Sequence, residues 1–155
     1  MTDPETKLSE HFRLREFTRS RYADIYNVPP PEAVDNLRRL CQWLEMLREM
    51  YLGAYCTTED EARIIVNSGY RSQALNRKVG GAKESNHLTG CAVDIRVSGM
   101  EQAIRFMAIL VDIADTSPLG DFDELYIERN SHHAIWLHLA VRPQGNRRKM
   151  GFIEN

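Results

Sequence analysis

Two imidazoles and a carboxylate stand at intervals that could hold a metal ion. His87 and Asp94 lie in Ser85-Asn86-His87-Leu88-Thr89-Gly90-Cys91-Ala92-Val93-Asp94, and His138 follows in Trp136-Leu137-His138. Cys91, Val93, Ile95 and Val97 alternate with Ala92, Asp94 and Arg96, the pattern of a strand with one apolar face. Ile135, Leu137, Leu139 and Val141 alternate in the same way with Trp136, His138 and Ala140. Asp94 and His138 therefore project from the non-core faces of two strands, and His87 sits just ahead, in the loop that Gly90 turns into the first of them. Two imidazoles and one carboxylate suit a catalytic zinc, which keeps three protein ligands and leaves its fourth position to water. Singly, the same residues read as a surface histidine and a solvated or capping aspartate.

The flanking sequence predicts the elements that must position these groups. Pro29-Pro30-Pro31 opens a helix whose stripe is Val34, Leu37, Leu40, Cys41, Leu44, Leu47 and Tyr51, with Gly53 as its end. Thr57 to Glu61 reads as a surface loop, Arg63 to Asn67 as a short strand broken by Gly69, and Ser72 to Val79 as a capped helix ended by Gly80-Gly81. A second long helix runs from Met100 to Asp115, with Ile104, Met107, Leu110, Val111 and Ala114 inward. Leu125 and Ile127 alternate with Glu124, Tyr126 and Glu128, pairing across the polar turn Arg129 to His133 with the strand of His138. Two long helices and hairpin-joined strands, without repeated strand-helix alternation, predict an α+β fold with a small antiparallel sheet. The tail from Arg142 to Asn155 reads as polar, its Arg147-Arg148-Lys149 run as a solvated patch.

A chain of 155 residues, 43% hydrophobic and 27% charged, fits one domain, 1–155, with its core at about 8–141. Lys and Arg total 20 against 22 Asp and Glu, a net charge of −2, which argues against a nucleic-acid binder built on Arg19, Arg21 and the Arg147 run. Three cysteines without a C-x-x-C pair read as reduced thiols, and Cys91 shares the odd-numbered core face of Val93 and Ile95. The polar start Met1 to Lys7 carries no secretory pattern, and no apolar run has the length of a membrane helix. The expectation is a monomer made in the cytoplasm, with neither membrane nor nucleic acid as a partner.

Ser85-x-His87-x-x-Gly90-x-Ala92-x-Asp94 together with Trp136-x-His138 resembles the signature of the zinc D-alanyl-D-alanine carboxypeptidase family, which includes VanX- and VanY-type DD-peptidases, phage peptidoglycan endopeptidases and the hedgehog signalling domain. Ser68-Gly69-Tyr70-Arg71-Ser72, the stretch Asn76 to Lys83, and Leu8-Ser9-Glu10-His11-Phe12 with Leu14-Arg15-Glu16-Phe17 extend the likeness over about Leu8 to Val141. The resemblance implies a hedgehog/DD-peptidase-like fold and one Zn2+ on His87, Asp94 and His138. It implies that Arg71 meets a substrate carboxylate or the oxyanion, and that Ser85 bonds the substrate backbone; plainer readings are a surface arginine in a turn and a cap hydroxyl.

Many members carry an acid three residues before the last histidine, where this chain has Ile135. Others carry a glutamate at the end of the preceding strand, which Tyr126-Ile127-Glu128 matches, and Glu128 shares the parity of His138. Glu124 has the same parity and competes for the role of base, while His132 and His133 in the turn are further groups near by. Trp136 flanks the site. The implied function is a metallopeptidase acting on peptidoglycan stem peptides or cross-links, as carboxypeptidase or endopeptidase. Without a leader it would reach the wall by lysis, through a holin, or by phage delivery. The alternative, motivated by Ile135, is an inactive zinc-containing binding or signalling module.

Overall fold

The computed structural model describes residues 3–155 and shows an α+β fold around one five-stranded sheet. The helices are α1 (Arg15–Thr18), α2 (Pro31–Tyr55), α3 (Gln73–Val79) and α4 (Met100–Thr116). The strands are β1 (Val66–Ser68), β2 (Ala92–Arg96), β3 (Glu124–Arg129), β4 (Ile135–Ala140) and β5 (Lys149–Glu154), in the order β1-β2-β4-β3-β5. Neighbouring pairs are antiparallel except β3 and β5. The sheet is thus mixed rather than wholly antiparallel, because the supposed polar tail supplies a parallel edge strand. Arg147 and Arg148 are not a free patch either: Arg147 pairs with Asp123, and Arg148 with Asp115 and Asp121. No helix among the described residues is long and apolar enough to cross a membrane.

The alternation read from the strands is the alternation that packs. Val93, Ile95, Leu125, Ile127, Leu137 and Leu139 are buried in one core with α2 and α4. Every residue of the predicted α2 stripe is buried, joined by Ala33 and Trp43. The helix does not end at Gly53 but continues to Tyr55. A helical glycine costs about 1 kcal/mol relative to alanine, and the last turn has contacts to offset it: Tyr55 lies against Tyr51, and the Arg105 guanidinium sits 4.2 Å from the Tyr55 ring centroid.

Helix α4 buries Leu110 as expected and packs Met107, Val111 and Ala114 partly against the core, but its most buried face is turned away from Ile104. Ala103, Phe106, Ile109, Leu110 and Ile113 are buried, and Ile104 is 50% exposed. Phe106 meets Tyr51 edge to face at 4.8 Å, a contact that fixes the rotation of the helix against α2. The segment Thr57 to Glu61 is also more regular than a loop, because Thr58 and Glu61 form a capping box on a single 3-10 turn, Glu59–Ala62. Before α2, the chain buries Leu8, Phe12, Leu14 and Phe17 in the same core, and this anchors the segment around α1 to the sheet's β1 edge.

Candidate metal centre

The even-numbered face of the sheet carries the polar side chains. Register sets Ser68 beside Asp94, Asp94 beside His138, and His138 beside Tyr126 in one row across four strands. Strand β1 is shorter and later than the expected Arg63 to Asn67, and it joins this row through a bulge. Val66 pairs with Ile95 and stays in the core, yet Ser68 pairs with Asp94, so the extra residue moves Ser68 and the following turn to the polar face. His87 comes from a 3-10 turn, Asn86–Thr89, that Ser85 caps by accepting from the His87 amide at 3.1 Å. Gly90 ends the turn in the left-handed region, φ 75°, where a Cβ would also lie 2.5 Å from the Ala33 carbonyl oxygen.

His87, Asp94 and His138 are all buried, and their ligand-type atoms lie within 4.8 Å of one another. His87 Nε2 is 3.3 Å from Asp94 Oδ2, and His138 Nδ1 is 2.9 Å from Asp94 Oδ1. A tetrahedral ion with bonds of about 2 Å holds its ligand atoms about 3.3 Å apart. The outer nitrogens assign the tautomers. His87 Nδ1 lies 2.6 Å from the Gly69 carbonyl, which can only accept, so Nδ1 carries the proton and Nε2 presents its lone pair. His138 Nε2 lies 3.0 Å from Glu124 Oε1 and donates to it, which turns Nδ1 toward Asp94. The donor set, its spacing and the fixed outer hydrogen bonds all fit a zinc ion.

Among themselves the residues of this cluster form a set of ion pairs. Burial opposes the charged form of His138, but hydrogen bonds to Asp94 and Glu124 outweigh it and push the imidazole up to about 10. Burial would raise Asp94, yet His87 and His138 hold it well below the carboxylate range. A metal at this point replaces the proton that the carboxylates otherwise hold on the His138 imidazole.

Both candidate bases are close to His138, on different sides of its ring. Glu124 is engaged at Nε2, and it also accepts from Asn86 at 2.9 Å. Glu128 Oε2 is 3.8 Å from Nδ1, the nitrogen that faces Asp94, and its other oxygen accepts from Asn155 at 3.3 Å. Arg71 lies in the turn after β1: its Nη2 donates to Asp94 Oδ2 at 3.3 Å, Nε to Ser68 at 3.1 Å and Nη1 to Asn76 at 3.2 Å. It is therefore no surface arginine, and two of its five donors are left for other partners. The Tyr126 ring stacks on His138 at 5.8 Å. Trp136 lies in register with Glu128 and Arg96 on the polar face. His132 and His133 are exposed in the hairpin turn, and their imidazoles have no hydrogen-bond or ion-pair partner among the described residues. Cys91 is buried outside the metal cluster, its thiol pushed up by burial, and all three cysteines are free.

A model of the peptidase M15 family matches residues 10–134 of this chain. The chain belongs to the peptidase M15 family. That family is zinc-dependent, so an M15 chain with this His-Asp-His cluster is a metallopeptidase in its family and in its donor set. The matched span contains Arg71, Ser85, His87, Asp94, Glu124 and Glu128 and stops before His138, which enters the centre through its strand register with Asp94. A search of curated proteins found no match.

Other residues of this M15 site escaped the reading of the sequence. Asn86 donates to both Asp123 and Glu124, and fully buried Asp123 also accepts from the Arg147 amide and guanidinium. Arg142 donates to Asn86 Oδ1 at 3.0 Å. An aspartate ahead of an alternating strand looks like a turn residue. The one signal against that is Arg142 and Arg147 following the strand it pairs with.

Proposed function

We propose that this M15 chain hydrolyses peptide bonds in peptidoglycan stem peptides or cross-links, with His87, Asp94 and His138 holding one Zn2+ and Glu128 moving the proton. The observation that carries the reading is the division of labour around His138. Glu124 is committed to Nε2, whereas Glu128 stands on the Nδ1 side with one oxygen that accepts no hydrogen bond among the described residues and lies 3.8 Å from Nδ1. Zinc bound by these ligands supplies Lewis-acid polarisation of the scissile carbonyl and acidifies a water. Glu128 takes a proton from the attacking water and returns it to the leaving amine, so that a C–O bond forms as the C–N bond breaks. Arg71, fixed by Ser68, Asn76 and Asp94, offers its two remaining N–H groups to a carboxylate or a developing oxyanion. Ser85, while capping the His87 turn, keeps a hydroxyl proton for a substrate carbonyl.

Ile135 supports a second reading. The residue three before His138 is a hydrocarbon in register with Arg129, so a zinc-containing binding module without turnover has this feature in its favour. Mass spectrometry of purified peptidoglycan after incubation with zinc-loaded protein separates the two. Zinc-dependent release of muropeptides with new amino or carboxyl termini is the expected result. Retention of the protein on the wall with no new termini would establish the module instead.

A further inference from the structure

Beside the metal centre, a groove of about 320 Å3 opens between the N-terminal segment and the turn that carries Arg71. Arg19, Arg21, Tyr22, Ser68, Tyr70 and Arg71 line it, and none of its lining residues is acidic. The chain as a whole is net acidic, so a cationic surface without carboxylates departs from the average. Apart from Arg71, which pairs with Asp94, the cations lack counter-charges among the described residues. Among the described residues, Arg19, Arg21 and the adjacent Lys78 form no ion pair, whereas Arg142, Arg147 and Arg148 on the other side of the centre are all paired. Arg21 and Lys78 instead lie 5.1 Å and 5.3 Å from the Tyr22 ring centroid, and Arg19 donates to the Val66 carbonyl at 3.3 Å. Like charges gathered without a partner repel one another, and an arriving anion relieves that.

The groove is built in advance. Asn27 donates to the carbonyls of Thr18 and Tyr70 and accepts from the Ser72 amide at 2.6 Å, which straps the N-terminal segment over the turn. The Tyr70 amide donates to the Phe17 carbonyl at 2.7 Å. Two of the groove's lining residues also touch the centre: Ser68 pairs with Asp94, and Arg71 donates to it.

We propose that this groove is a subsite for an anionic, carboxylate-bearing segment of the substrate peptide, with Arg19 and Arg21 as its recognition residues. The inference rests on the peptidase reading of the adjacent centre. Guanidinium groups suit carboxylates through paired N–H donors, and a preformed cleft loses little freedom on binding. The groove's volume accommodates a residue or two of peptide rather than a length of polyanion.

The test compares two synthetic stem peptides of one sequence, one with free carboxylates and one with carboxamides in their place. Dissociation constants are measured by calorimetry on the zinc-loaded parent, the R19Q/R21Q double variant and R77Q, an exposed arginine outside the groove, while hydrolysis is followed in parallel. The parent should prefer the carboxylate peptide by about tenfold, weakening with added salt. R19Q/R21Q should cut that preference by about fivefold with unchanged zinc content and melting temperature, and R77Q should keep it. Equal affinity of the parent for both peptides, or a preference that survives in R19Q/R21Q, overturns the subsite. A parent that shows the preference but hydrolyses neither peptide overturns the peptidase reading and leaves the subsite standing.

Discussion

Glu124 and Glu128 have the same charge, parity and strand, and they differ in which nitrogen of His138 they meet. Parity in the sequence admitted both. Their separation needed the register of β3 on β4, which sets Tyr126 opposite His138 and puts one glutamate on either side. Distinct losses follow from the distinct contacts. Glu128→Gln should bind zinc and melt like the parent while kcat falls by roughly 100- to 10,000-fold, the usual contribution of a positioned proton-transfer group. Glu124→Gln removes the carboxylate that receives the Nε2 proton, so zinc affinity measured by chelator competition should fall by about 10- to 100-fold, with turnover returning at saturating zinc. A Glu124→Gln variant with full zinc affinity and no turnover would reverse the assignment. His138→Ala should abolish stoichiometric zinc in elemental analysis, because only two of the three protein ligands remain.

At the scale of elements, the centre depends on a strand that the sequence did not announce. Pro143 and Gly145-Asn146 mark a turn ahead of Lys149–Glu154, but the strand has no clean alternation and as an edge strand leaves Met150 and Phe152 exposed, so no burial pattern marks it. Besides its parallel ladder with β3, an electrostatic anchor holds it: Asp123, fully buried, accepts from Arg147 and Asn86 and pairs with Arg142 at 3.2 Å. Asp123→Asn would leave the part-exposed Arg142 without its counter-charge and Arg147 with only Glu124, 3.7 Å away, so stability at pH 7 should fall. The effect has a defined pH dependence. Burial raises the Asp123 pKa, but Arg147 and Asn86 outweigh it and hold the carboxyl well below its ordinary range. Its contribution to stability is therefore complete above the unfolded value of about 3.9 and disappears as the pH falls from there toward the folded value. Urea midpoints of the parent and Asp123→Asn should differ fully at pH 7, and the gap should begin to narrow below about pH 4 and go on closing as the pH falls further. A gap that did not narrow would mean that the carboxylate's charge plays no part. The α4 face shows a different limit: apolar residues lie nearly all round that helix, so periodicity could not choose between Ile104 and Phe106, and contact with Tyr51 did.

For the whole molecule, the metal should act as a staple between halves of the chain. Its ligands come from the 3-10 turn before β2, from β2 and from β4, and the groups that orient them come from β1's turn and from β3. An ion that binds only this folded arrangement stabilises it by mass action, about 2.7 kcal/mol at a hundredfold excess over Kd. For a domain of this size that corresponds to about 5–10 °C in Tm. Calorimetry before and after chelation should show the difference, and His138→Ala should show none. The local pattern of the chain was sufficient for the α2 stripe, the Ser72 cap and the two-faced strands, because residue type, period and turn chemistry act over a few neighbours. His87, Asp94 and His138, singled out with the help of a family resemblance, are brought together by the fold. The local pattern was not sufficient for the bulge that brings Ser68 to Asp94, the partner of each His138 nitrogen, the inward face of α4 or the β5 edge. Those depend on which strands become neighbours and in which register. Contacts between residues far apart in the chain set that, and they form only when the sheet closes on its helices.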